Sequence, residues 1–152
     1  MIRNPNEIQE GAKKIRMLIA GYPGIGKSTL ALSAPNPLHI DVDFGIDRIE
    51  PRYRKPYIQP KSYDEILEDL TPLNVKDFDT LVFDTGGKLI SLMSQWAIKK
   101  DVKYGQRDGS LSLKGYGFIG REFQRLMDYC FYELDKHIVV VFHAIEEKDG
   151  DN

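Results

Sequence analysis

The fold is decided by the stretch from Ile15 to Ser33, Ile15-Arg16-Met17-Leu18-Ile19-Ala20-Gly21-Tyr22-Pro23-Gly24-Ile25-Gly26-Lys27-Ser28-Thr29-Leu30-Ala31-Leu32-Ser33. Its opening, Ile15 to Ala20, is a nearly continuous apolar run, the pattern of a strand buried on both faces of a parallel sheet. Its end, Gly26 to Ser33, reads as a short helix stopped by Pro35 and Pro37, because proline disfavours helical geometry in the residue before it. Between them, Gly21 to Ser28 satisfies G-x-x-x-x-G-K-[ST] in full. Such a loop gathers backbone N–H groups and a helix N-terminus around phosphate oxygens, and its glycines let the main chain come that close. The pattern assigns Gly21, Tyr22, Pro23, Gly24, Ile25, Gly26, Lys27, Ser28 and Thr29 to the phosphates of a nucleotide. Lys27 falls to the β- and γ-phosphates and the Ser28 hydroxyl to magnesium. A plain glycine-rich turn between strand and helix is the competing reading.

Outward from this stretch, strands alternate with helices. Leu38 to Val42, Thr80 to Phe83 and Ile138 to Phe142 read as strands. Arg48 to Pro60 reads as irregular. Ser62 and Glu65 have capping-box spacing ahead of a helix to about Leu70, and Lys88 to Lys100 and Phe118 to Leu134 read as amphipathic helices. Asp101 to Gly117 breaks every pattern with four glycines and reads as a mobile loop of functional length. This alternation predicts an α/β fold, a mostly parallel sheet flanked by helices with ligands at the carboxyl ends of its strands. Residues 1–12 read as a flexible arm and 13–152 as one domain.

The 152 residues are 41% hydrophobic and 29% charged, ordinary for a single globular domain able to bury roughly 70% of its unfolded surface. With 21 basic and 23 acidic residues, the net charge of −2 gives no global field toward nucleic acid, so such binding needs a local patch. One cysteine, Cys130, excludes an internal disulfide or a zinc cluster and fits the reducing cytoplasm. No apolar run reaches the length of a bilayer span, so no membrane role is expected.

Three polar residues at strand ends extend the phosphate loop into a candidate active site. Asp84, closing Leu81-Val82-Phe83-Asp84, is placed to hold magnesium through its water shell; alternatively Asp84 or Thr85 caps the next helix. Asp43, in His39-Ile40-Asp41-Val42-Asp43, is a candidate for orienting water at the γ-phosphate. Asp41 competes with it on the same side of an extended segment, and a solvated turn is the third option. His143, directly after the Ile138 to Phe142 run, is either a structural histidine or a reporter of the γ-phosphate.

In this order, GYPGIGKST, HIDVDFGID, TLVFDT and VVVFHA resemble the RecA-type recombinase core, and are most similar to the reduced RecA-like ATP-binding proteins of bacteriophages. The resemblance implies an ATP- and magnesium-dependent ATPase acting on single-stranded DNA in phage or bacterial recombination or repair, as a homo-oligomer. It implies Asp43 as the water-activating carboxylate, where the family usually has glutamate, and His143 as the γ-phosphate sensor. It places a DNA loop at Asp101 to Gly117, whose Lys103, Arg107 and Lys114 alternate with Tyr104 and Tyr116, residues suited to phosphate contact and base stacking. Arg48, Arg52, Tyr53, Arg54, Lys55 and Tyr57 form a second basic-aromatic stretch. Family cores continue beyond the sensor strand, so the chain reads as a truncated or unusually reduced form, with any arginine finger coming from another subunit (Arg107 or Arg121). Other readings are a nucleotide or small-molecule kinase with Arg107, Arg121 and Arg125 as a lid, and an ATP-dependent switch without appreciable turnover. Asp84-Thr85-Gly86-Gly87 matches D-x-x-G, but no N-K-x-D motif follows, which argues against a GTPase.

Overall fold

The strand-forming runs pair in a single direction. The computed structural model describes residues 13–144, with β1 (Arg16–Gly21), α1 (Lys27–Ala31), β2 (Pro37–Asp41), β3 (Tyr57–Ile58), α2 (Tyr63–Asp69), α3 (Pro72–Val75), β4 (Thr80–Asp84), α4 (Gly86–Lys100), α5 (Leu113–Asp128) and β5 (His137–His143). The strands form one parallel sheet in the order β1-β5-β4-β2-β3. This is the α/β P-loop NTPase fold. The arm expected over 1–12 and the polar tail, Glu146 to Asn152, lie outside the described residues.

Alternation along the strands sorts the core into two layers. Leu81, Phe83, Ile138 and Val140 pack with Leu89, Met93 and Leu126 from α4 and α5. Val82, Val139 and Val141 face the other way, onto Ala31, Leu32 and Ile49. Each such side chain, fully buried, contributes about 1.5–3 kcal/mol of transfer free energy. Cys130 lies in the first layer, where burial pushes its thiol up to about 12 and so removes it as a nucleophile.

The structure corrects two expectations. β1 is not covered on both faces: among the described residues it is an edge strand paired with β5 alone, and Met17 and Leu18 are 47% and 63% exposed. An apolar run records what a strand is able to bury, whereas strand order decides how much it does bury. The doubly covered strands are β2 and β4, every residue of which is buried. The second correction concerns Asp101 to Gly117. The connection ends at Ser112, whose hydroxyl accepts from the Gly115 amide and caps α5, so Gly115 and Gly117 are helical. The connection itself is compact. Val102–Tyr104 form a 3₁₀ turn, the Ser112 amide donates to the Tyr104 carbonyl at 2.8 Å, and Leu111 is buried. Tyr104 stacks on Phe118 with ring centroids 4.4 Å apart, and Phe118 stacks on Trp96. Here the glycines serve close approach: a Cβ on Gly115 would run into the Tyr104 carbonyl.

Smaller differences follow from local capping. Ser62 caps α2 as expected, while Glu65 accepts from the Lys61 amide. Neither α3, capped by Thr71 with Pro72 in its first turn, nor β3 is marked by a periodic run, because both are too short to show one. The last helix starts five residues earlier than the sequence suggests and closes in a widened turn, Tyr129–Glu133.

Gly115 and Gly120 occupy the same helix with opposite surroundings, since nothing lies within 4 Å of a Cβ placed on Gly120. Gly115→Ala is expected to destabilise the protein by about 1–3 kcal/mol through overpacking. Gly120→Ala is expected to stabilise it by about 0.5–1 kcal/mol. Urea unfolding midpoints of the two variants check both signs.

Candidate functional site

Between β1 and α1 the chain turns through Gly24 and Gly26, both in left-handed conformations with φ of +82° and +86°. A Cβ at either would meet nothing within 4 Å, so open space lies beside both glycines at the start of α1. A glycine turn leading into a helix start is the setting in which backbone N–H groups can receive phosphate oxygens. Lys27 is buried at its mouth and its Nζ donates to the Tyr22 carbonyl at 2.6 Å. The loop forms one wall of a cleft of about 560 Å³ that also reaches Asp41, Asp43, Arg48, Asp84 and His143.

The other walls are the carboxyl ends of β2, β4 and β5. Asp41 and Asp84 are register partners, as are Gly21 and His143. The Asp84 carbonyl accepts from the Val42 and Asp43 amides at 2.8 and 3.2 Å, which ties the turn carrying Asp43 to the end of β4. Burial alone would raise the Asp84 carboxyl. The neighbouring His39 and Ser28, with charge from His143, outweigh it and hold the carboxyl below its ordinary value. A depressed carboxylate beside a serine hydroxyl is a donor set suited to a hydrated magnesium ion. Thr85, not Asp84, caps α4, accepting from the Lys88 amide at 3.3 Å.

The two aspartates that sequence could not separate have different surroundings. Asp41 is buried and fully engaged: its carboxylate accepts from the Gly45 amide at 2.8 Å, the Ile46 amide at 3.1 Å and Gln59 Nε2 at 2.8 Å. It builds the turn after β2. Asp43 lies farther out on that turn, paired with Arg48 at 2.7 Å. An ion pair this exposed is worth about 1 kcal/mol or less. His143 is exposed at the cleft.

His39 was not singled out from the sequence. Completely buried on β2, it sets Nε2 3.4 Å from Asp84 Oδ2, too long for a good hydrogen bond, and its ring nitrogens have no other partner among the described residues. The signal was available: an ionisable residue inside a strand otherwise read as core.

A family model described as "AAA domain" matches residues 13–152. The chain belongs to the AAA domain family. No curated protein matches it. Membership supports a P-loop, ATP-binding ATPase domain in general, and among the described residues no helix of this AAA domain is long and apolar enough to cross a membrane.

Residues outside the phosphate cleft are placed as follows. Lys103 is bonded to Asp101 at 2.6 Å and Tyr104 is stacked inward, whereas Arg107, Lys114 and Tyr116 are exposed. Arg125 pairs with Glu122, which also accepts from the Tyr63 hydroxyl at 2.7 Å, beside a separate groove that Arg121 lines. None of Arg107, Arg121 and Arg125 lines the phosphate cleft of the described residues.

The lowered Asp84 pKa has a definite sign in stability. Its folded state favours the carboxylate, so its contribution is present above the ordinary value of 3.8 and is lost as pH falls through the lower folded value. Urea midpoints measured from pH 6 to pH 3 are expected to fall more steeply for the wild type than for Asp84→Asn.

Proposed function

We propose that this AAA domain is a magnesium-dependent ATPase that couples ATP hydrolysis to single-stranded DNA in recombination or repair, working as a homo-oligomer. The observation that carries the hydrolytic part is the convergence of Lys27, Ser28, Asp43 and Asp84 on one cleft behind a glycine loop with open space at Gly24 and Gly26. The amides from Gly24 to Thr29 hold the phosphates. Lys27 exchanges the Tyr22 carbonyl for phosphate oxygens. Ser28 would hold magnesium directly and Asp84 through water; when bound, the ion neutralises charge developing on the phosphates. Asp43 orients a water and accepts its proton as the water oxygen bonds to the γ-phosphorus and the bond to ADP breaks. Aspartate, one methylene shorter than glutamate, needs the turn to carry it toward the phosphate, and the bonds from Val42 and Asp43 to the Asp84 carbonyl do so. His143, paired in register with Gly21, transmits the presence or loss of the γ-phosphate to the sheet.

Coupling to DNA is supported by the exposed Arg107, Lys114 and Tyr116, which offer phosphate contacts and a stacking surface. ATP and GTP hydrolysis measured with and without single-stranded DNA tests the whole reading: adenine-selective, DNA-stimulated turnover is expected. Turnover without stimulation would remove the DNA role and leave the ATPase.

Two variants test the chemistry. Lys27→Ala is expected to lower ATP affinity or turnover by about 100-fold or more, and unchanged binding and rate would sink the ATPase reading. Asp43→Asn is expected to bind ATP normally and hydrolyse it about 10²–10⁴-fold more slowly, as loss of a general base does. Equal rates would move that role to another group.

A further inference from the structure

Lys27 and Arg48 are the lysine and arginine side chains that line the phosphate cleft among the described residues, and the hydrolytic scheme above uses only Lys27. Arg48 closes a 3₁₀ turn, Ile46–Arg48, that is fastened at both ends. At its start, Asp41 accepts from the Gly45 and Ile46 amides. At its end, the Arg54 guanidinium donates to the carbonyls of Ile49 and Asp47 at 2.9 and 3.2 Å. Ile46 and Ile49, on either side of the arginine, are buried. The backbone under Arg48 is therefore fixed to the core, while its side chain is 68% exposed. The guanidinium folds back over Gly45, where any side chain would displace it, and donates to Asp43 Oδ2. Its acceptor is the carboxylate assigned to water. The guanidinium occupies the carboxylate oxygen that a water would use, and an ion pair this exposed is weak enough to be exchanged.

We propose that Arg48 is a γ-phosphate ligand supplied by the same chain, leaving Asp43 for the γ-phosphate oxygens when ATP enters the cleft and thereby freeing the Asp43 carboxylate for water. This inference rests on the ATPase reading. The planar guanidinium fork matches two phosphate oxygens at once, and a triphosphate offers more charge than the single carboxylate it replaces. ADP lacks that terminal group, so Arg48 stays on Asp43 when ADP is bound. Recognition of the third phosphate and unmasking of the base become one event, with no arginine required from a second subunit for this step.

The test is calorimetric titration of ATP and of ADP, each with magnesium, into wild type, Arg48→Ala, Arg48→Lys and Lys27→Ala, alongside turnover. Arg48→Ala is expected to weaken ATP about tenfold while leaving ADP within about twofold, the loss of one charge-assisted contact, with kcat reduced as well. Arg48→Lys is expected to recover part of the ATP affinity but less of the rate, because one ammonium does not span two oxygens. If Lys27→Ala leaves both ATP binding and turnover unchanged, the ATPase reading fails and this inference falls with it. If Lys27→Ala lowers ATP binding or turnover while Arg48→Ala keeps the wild-type ratio of ATP to ADP affinity, this inference alone is overturned. Faster hydrolysis by Arg48→Ala at an unchanged ratio overturns it too, reducing Arg48 to a cover over Asp43.

Discussion

All five strands run in one direction, so all their carboxyl ends lie along one edge of the sheet. That constraint gathers residues far apart in sequence: β1 brings the glycine loop, β2 brings Asp41 and Asp43, β4 brings Asp84 and β5 brings His143. Helices laid on both faces exclude water from β2 and β4 but leave this edge open. Polar side chains can collect there without being stranded in the core, and a helix start can point its amides into the same space.

Along this edge three carboxylates have three surroundings. Asp41, buried, is spent on backbone amides and shapes a turn. Asp84, also buried, has its carboxylate favoured by the neighbouring His39, Ser28 and His143. Asp43 is the most open and is held by a single exchangeable arginine. Distance from the dry sheet sets this gradation, because the cost of an unpaired charge rises with burial. His39 marks the inner limit. It is fully buried, with Nε2 set 3.4 Å from the Asp84 carboxylate.

The phosphate loop and the core strands were legible in sequence because each rests on a local pattern: glycine spacing in one case, apolar runs in the other. The helix start at Ser62 was legible for the same reason, whereas no local pattern chose between Asp84 and Thr85 as the cap of α4. What escaped depended on partners distant in the chain. The edge position of β1 follows from strand order, which no run of apolar residues records. The closure of the connection before α5 depends on Tyr104 stacking on Phe118 and on Gly115 admitting the Tyr104 carbonyl. At the candidate site, alternation placed Asp41 and Asp43 together, and only the fold of the turn distinguished them. Arg48 was visible as one of several basic residues in an irregular stretch, but its place in the cleft comes from Asp41 and Arg54 holding that stretch in shape.

The exposed flank of β1 has a consequence for motion. The strand that leads into the glycine loop is bound on one side only, with Met17 and Leu18 turned toward solvent, so it has less to lose on opening than β4 at the centre. Fraying begins where bonds and buried contacts are few, which makes the amide hydrogens of β1 exchange with solvent sooner than those of β4. Anything that grips the glycine loop adds its binding free energy to the work of that fraying. A molecule held by the loop and the integrity of this outer strand are therefore linked: whatever the loop grips also steadies β1.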